Sequence, residues 1–294
     1  MVTALDFRFG QRVGRPLFPA GRWTQGVAER QRSGRRLPTK PNTMNKVTTI
    51  LCLLVFPASA AFAQDKVRAI VEKAIQAQGG ETNLARLRTM RIKVEGTAAL
   101  VPGQPECPFT MEDTWQMPNR YKTSSTFQFQ GQKVAQTQVI DGDKGWIQAN
   151  DQTQIMPREA LDEMKEQKYA EDLDRLTFLT ETNNEILAVD PIEVDGKPAI
   201  GVLVKSKGHR EVRLYFDKTS GLLVKREQRL LDPLSGKEVL QEVIFSDYQE
   251  KDGLKHYRKI VALRDRKKVI DAKVTEITFF DKLDEKVFEM RVKP

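Results

Sequence analysis

Apolar positions set three regimes along the chain. Val67, Ile70, Val71, Ala74 and Ile75 recur at helical spacing with charged residues between them, which predicts an amphipathic helix. Gly79-Gly80 stops it, and Leu84 and Leu87 fall in a short second turn. From Met90 the period drops to two. In "MRIKVEGTAAL", Met90, Ile92, Val94 and Leu100 share one face and Arg91, Lys93 and Glu95 the other. "FTMEDTWQM" sets Phe109, Met111, Trp115 and Met117 together, and "YKTSSTFQFQ" does the same for Tyr121, Phe127 and Phe129. "KVAQTQVI", the turn "DGDKG" and "WIQ" follow. The pattern predicts a meander of antiparallel strands with one apolar face.

The middle of the chain differs. "PREALDEMKEQKYAEDLDRLTFL" opens on Pro157 and continues in good helix formers. Leu161, Met164, Tyr169, Leu173, Leu176 and Leu179 give it an imperfect apolar stripe. Acidic residues crowd Glu159 to Asp174, so the segment reads either as a helix with a solvated face or as a mobile lid. Beyond Asn183-Asn184 the strands resume, punctuated by turn pairs at Asp195-Gly196, Lys207-Gly208, Ser220-Gly221, Ser235-Gly236 and Asp252-Gly253. The closing "DKLDEKVFEM" ends the sheet with Phe288 tucked in. The expected fold is mainly β within the α+β class. It is a large curled antiparallel sheet, or half-open β-barrel, of about ten strands, with an N-terminal helix and an inserted helical pair as lid, since a sheet that size must curl or close.

Ahead of this region, "MNKVTTILCLLVFPASAAFAQ" supplies Lys46, the apolar run Ile50 to Phe56, and Ala61-Phe62-Ala63 in that order. These are the three parts of a secretory signal peptide, with cleavage expected after Ala63. The apolar run is too short to cross a bilayer, which takes about 20 residues. Residues 1–43 show no apolar periodicity and read as a mis-called start or a disordered extension. Residues 44–63 are then the signal peptide and 64–294 a single domain, periplasmic or secreted.

That division changes the meaning of the charge. The whole chain carries 48 Lys and Arg against 40 Asp and Glu, a formal +8. Residues 1–63 hold ten of the basic residues against only Asp6 and Glu29, so the remainder is formally neutral. A nucleic-acid partner, which a basic chain would otherwise suggest, is therefore not expected. Cys52 lies in the signal core, which leaves Cys107 without an intramolecular partner. Between Pro105 and Pro108 it reads as a loop thiol.

Catalytic signatures are sparse. The two histidines, His209 and His256, follow turn-like segments and read as surface residues. The sequence holds no H-E-x-x-H, G-x-S-x-G or S-x-x-K pattern, so no enzyme, no metal and no cofactor is expected. "DGDKG" (Asp141 to Gly145) lacks the further ligands of a calcium loop and reads as a tight hairpin turn. Arg264, Arg266, Lys267 and Lys268 form a basic patch tempered by Asp265 and Asp271, suited to a hairpin tip or to contact with phospholipid head groups.

The order of elements resembles the LolA/LolB-like superfamily of outer-membrane lipoprotein-sorting proteins, in its broader and less characterised part. The segments that carry the resemblance run from Val67 to Phe288: "AQGGETNLARLRTMRIKVEG", "WQMPNRYK", "DGDKGWIQ", "YFDKTSGLLVKREQ", "GKEVLQEVIFSDYQEKDGL" and "LDEKVFEM". The resemblance implies a half-open β-barrel with a helical lid over a hydrophobic cavity, and a non-catalytic carrier of a lipid or a lipoprotein acyl chain. The cavity candidates are Met90, Ile92, Met111, Trp115, Phe127, Phe129 and Trp146. The same residues could instead close into a dry core, and the chain would then be an envelope interaction module that binds a protein partner.

Overall fold

The computed structural model describes residues 58–99, 105–149, 152–176, 178–179, 184–232 and 235–290. The stretch 1–57, which holds most of the expected signal peptide, and Leu100 lie outside the described residues. Helix α1 (Ala58–Gln78) leads into a short α2 (Glu81–Leu84) and a 3-10 turn, Ala85–Arg88. The cleavage point expected after Ala63 falls within α1. The α1 residues described as buried (Val67, Ile70, Val71, Ala74, Ile75 and Gln78) lie beyond it, so cleavage there leaves this packing intact.

Six strands follow: β1 (Thr89–Ala98), β2 (Cys107–Gln116), β3 (Arg120–Phe129), β4 (Gln132–Asp141), β5 (Lys144–Ala149) and β6 (Gln152–Ile155). Helix α3 (Arg158–Leu173) then separates them from β7 (Asn184–Val194), β8 (Lys197–Ser206), β9 (Val212–Asp217), β10 (Leu223–Leu231), β11 (Glu238–Lys251), β12 (Leu254–Arg264) and β13 (Lys267–Phe279). All thirteen form one sheet in the order β6-β5-β4-β3-β2-β1-β13-β12-β11-β10-β9-β8-β7. The chain starts in the middle, walks to one edge, crosses through α3 to the other edge, and walks back until β13 pairs with β1, Ile92 opposite Ile277.

Period two decides which side chains turn inward. One buried cluster draws Met90, Trp115, Tyr121, Ile140, Val204, Leu214, Phe245, Ala262 and Val274 from strands across the whole sheet. Side chains so far apart in strand order touch only because the sheet curls, yet its edges β6 and β7 do not pair. The five buried apolar residues of α1 and Leu161, Leu173, Leu176 and Leu179 of the insert join the same cluster. The outer face of β4 and β5 is closed separately by the C-terminal segment. There Phe288 and Leu283 cover Val139 and Trp146.

Three expectations change. Among the described residues there are thirteen strands rather than about ten; β6 is one that alternation could not single out, being four residues, "QTQI", with one apolar side chain. Among its described residues the insert holds one helix, with turns at 174–176 and 178–179, rather than a helical pair. Cys107 is no loop thiol: it is the first residue of β2 and is buried. The turn at "DGDKG" is present, with Gly142 at a φ of 61°, a left-handed conformation that glycine adopts without strain. The basic patch sits on the β12–β13 hairpin, where Arg264 pairs with Asp232 and Lys268 with Glu106 and Asp271.

Candidate functional site

Strand register stacks the inner face of β2, β3 and β4 in rows. Phe109, Phe127 and Val134 form an apolar row in which the two rings stack at 5.7 Å. Met111, Ser125 and Gln136 form the next, and Asp113, Thr123 and Gln138 the next again. Trp115, Tyr121 and Ile140 close the series. A polar band therefore crosses an otherwise apolar face.

Of the expected cavity residues, Met90, Ile92 and Trp115 are buried in the inner cluster. Met111 and Phe127 pack against it but remain half-buried. Phe129, at the end of β3 opposite Gln132, is half-buried and stands outside that cluster. Trp146 is on the other side of the sheet, beneath Phe288. In β5 the inward positions are Gly145 and Ile147, and Gly145 is needed there. A Cβ on it would come within 2.8 Å of Leu161 on α3.

Helix α3 lies across the inner face and is fastened to both halves of the sheet. On one side Lys165 Nζ meets Asp143 Oδ1 of the β4–β5 turn at 2.8 Å. On the other, Arg210 donates two hydrogen bonds of 2.7 Å to Glu163, which also accepts from the Leu231 amide. Glu166 accepts from the Arg210 amide and contacts His209 Nδ1, both at 2.9 Å. Burial pushes the Glu166 carboxyl up, but His209 and Arg210 hold it below the usual range. His209 is exposed, as expected, and stacks on Tyr169 at 3.8 Å.

The end of α3 carries a buried ionic cluster. Asp113, Lys168, Asp172, Asp174, Arg175 and Arg226 are all less than a tenth exposed. Lys168 Nζ lies 2.8 Å from Glu171 and 4.0 Å from Asp113. Arg226 of β10 is paired to Asp174, and Arg175 Nη1 reaches Asp172 at 3.2 Å. The Trp115 ring receives two cations, Arg175 at 4.5 Å and Lys168 at 5.5 Å. Desolvation raises the carboxyls of Asp172 and Asp174 to about 7, against the attraction of Arg175 and Arg226 respectively. It also raises Asp113, against Lys168. Burial would lower Lys168, but Asp113 and Glu171 together raise it.

Tyr121 shows how a proton is shared here. Its hydroxyl contacts the Pro118 carbonyl and, at 2.5 Å, Asp172 Oδ2. One hydroxyl has one proton to give. Both contacts are satisfied when Tyr121 donates to Pro118 and a protonated Asp172 donates to Tyr121, in keeping with the raised Asp172 carboxyl.

None of this cluster was among the expected site residues, because "EDLDR" reads as solvated surface. One signal was present. Asp113 sits at the inward period between Met111 and Trp115, a carboxylate in the middle of an apolar face. His256 is a second correction: it is buried, not on the surface, tilted against Phe279 at 5.5 Å. Burial, with Arg258 and Lys251 nearby, pushes its imidazole down to about 4. Among the described residues no group of three or more His, Cys, Asp and Glu is placed to hold a metal ion.

No protein-family model matches the sequence, and no curated protein is similar to it in sequence. The fold has a counterpart among solved structures. A LolA superfamily protein from Nitrosomonas europaea matches at a TM-score of 0.50 and 12% identity, over 76% of this chain and 97% of that one. A DUF1329 family protein from Desulfovibrio piger matches at 0.47 and 12%, over 76% and 97% of the two chains. At these identities the likeness is one of fold. The chain has a LolA-like fold: a curled, unclosed antiparallel sheet strapped by a helix.

Proposed function

We propose that this chain is an exported, non-catalytic carrier that holds a hydrophobic ligand, a lipid or a lipoprotein acyl chain, between the inner face of the sheet and α3. The observation that supports this reading is the apolar row of Phe109 and Phe127 with Met111 beside it, where Phe127 and Met111 are left half-buried. Helix α3, at 16 residues, spans about 24 Å, whereas a sheet of thirteen strands spaced about 4.8 Å apart measures roughly 60 Å across. The strap is too short to cover the face it crosses. Each buried CH₂ contributes about 0.8 kcal/mol, so a 16-carbon chain gains roughly 10 kcal/mol before ordering costs.

The cleft beside α3, lined by Tyr169, Arg210, Val212 and Gln228 among others, encloses about 0 Å³ of free volume. Ligand pockets run from about 300 to 1,000 Å³, so uptake requires α3 to lift. The test is native mass spectrometry of the protein, exported from the full coding sequence and purified without detergent. A mass excess released as lipid by organic extraction is the expected result. A clean apo mass, with no uptake of added palmitate or lipopeptide, would overturn the reading.

One observation favours the alternative, an interaction module. Edge strand β6 bears no charged residue, and its Ile155 is 78% exposed. Edges of this kind pair with other strands. A stable protein complex recovered with the apo protein would support it.

A further inference from the structure

Helix α3 ends on two carboxyls that are seated as acids rather than as anions. Asp172 Oδ2 lies 2.5 Å from the Tyr121 hydroxyl, which also contacts the Pro118 carbonyl. The hydroxyl has one proton to give, so one of these contacts needs a proton from Asp172. Asp174 meets Arg226 through Oδ2, while its Oδ1 is buried with no hydrogen-bond partner among the described residues. A bare buried oxygen costs far more on a carboxylate, which shares its charge over both oxygens, than on a neutral acid. Both contacts leave the helix for the sheet, and for opposite halves of it: Tyr121 is on β3 and Arg226 on β10. When α3 lifts, the two carboxyls reach water, where a carboxyl holds no proton at neutral pH.

We propose that α3 is a proton-held strap: it closes with one proton on Asp172 and one on Asp174, and gives up both when it lifts. The closed form binds more protons than the open one, so acid holds the strap shut and rising pH loosens it. The window runs from the ordinary 3.8 of both carboxyls to about 7, where the closed form loses its protons as well. The groups facing the pair do not cancel the effect. Around Asp172 stand Lys168, Glu171 and Arg175 of the insert and Tyr121 of β3, with Asp113 of β2 4.0 Å from Lys168. Around Asp174 stand Arg226 of β10, Arg175, Glu171, Tyr248 of β11 and Tyr257 of β12. Lysine, arginine and tyrosine side chains do not titrate in this window. Burial pushes Glu171 up, but Lys168 and Arg226 hold it below its ordinary 4.5, so it takes up a proton on opening only at the acid end. Asp113, raised by burial against Lys168, adds to the release.

The experiment is native-state hydrogen exchange on the full exported protein without ligand, at pH 5 and pH 6, corrected for the intrinsic base catalysis of exchange. The α3 amides are expected to open at a lower energy than those of β8 and β9. Their opening equilibrium should rise about ten-fold per pH unit for each proton released, so about a hundred-fold for the pair. Asp172→Asn and Asp174→Asn each remove one releasable proton, and each is expected to cut the rise to about ten-fold. Either variant suffices should the other fail to fold. An α3 opening that does not change with pH, an undiminished rise in a folded variant, or α3 amides that share the opening energy of β8 and β9 at both pH values overturns the proposal. The coupling is read without ligand; that it sets the pH of loading rests on the carrier reading. A strap that opens with pH in a protein that takes up no palmitate at pH 5 or pH 7 upholds the proton coupling and overturns the carrier reading.

Discussion

At Asp172 and Asp174, burial outweighs the nearby guanidinium groups. Both carboxyls are raised from 3.8 to about 7, so the folded chain holds protons that the unfolded chain has released. Their contribution to stability is fully present below about pH 4 and is lost as pH rises toward 7. His256, pushed down to about 4, acts in the opposite sense between there and its ordinary 6.5. The clean measurement is therefore a difference. Asp172→Asn, which mimics the protonated side chain, is expected to match the wild type in urea unfolding at pH 4 and to exceed it at pH 8. Equal stability at pH 8 would show that Arg175 fully compensates the buried charge. Arg226→Met tests the other pair. It strands Asp174 and is expected to cost about 3 kcal/mol at pH 8, where breaking a buried ion pair leaves an unpaired charge. The loss should shrink at pH 5, where Asp174 takes a proton.

Most strands and α1 were legible in the sequence because their patterns are local: period two with Gly turns, and Val67, Ile70, Val71, Ala74, Ile75 at helical spacing. The strap's chemistry was not, because its partners come from four regions of sequence, Asp113, Tyr121, the 168–175 stretch and Arg226. Trp146 was misplaced for a different reason. "KGWIQ" contains one strong apolar position of each parity, and the packing of Leu161 over Gly145 on one face and of Phe288 against Trp146 on the other decides which turns inward. The same geometry makes α3 testable as an element. Glu163 joins it to Arg210 and Leu231 on the far half of the sheet. Glu163→Ala is expected to cost about 1 kcal/mol globally, since the pair is only partly buried. Hydrogen exchange should quicken most in the first turns of α3. Uniform exchange across the helix and the sheet would mean that the strap does not open on its own.

At the scale of the molecule, the two halves of the meander meet along one seam, β1 against β13, with α3 bridging them elsewhere. The seam has one weak place, a register shift between Lys93 and Val94, and one tight place, Gly96 opposite Ala272. A Cβ on Gly96 would lie 2.2 Å from the Asp271 carbonyl oxygen and 2.6 Å from the Ala272 Cα. Those are backbone atoms, so no side-chain rotation relieves the clash, and the strands themselves must part. Gly96→Ala is expected to destabilise by about 2 kcal/mol, within the range for overpacking. Its effect should also be distributed unevenly. Native-state hydrogen exchange should show β1 and β13 amides falling to a common, lower opening energy, while β8 and β9 keep theirs. On the carrier reading proposed above, the measurement distinguishes two modes of ligand entry. Loss confined to the seam would mean that the sheet can widen like a clasp, giving a ligand a second way in besides the lifting of α3. A uniform loss across all thirteen strands would mean that the sheet opens only by unfolding, and that α3 alone controls access to the inner face.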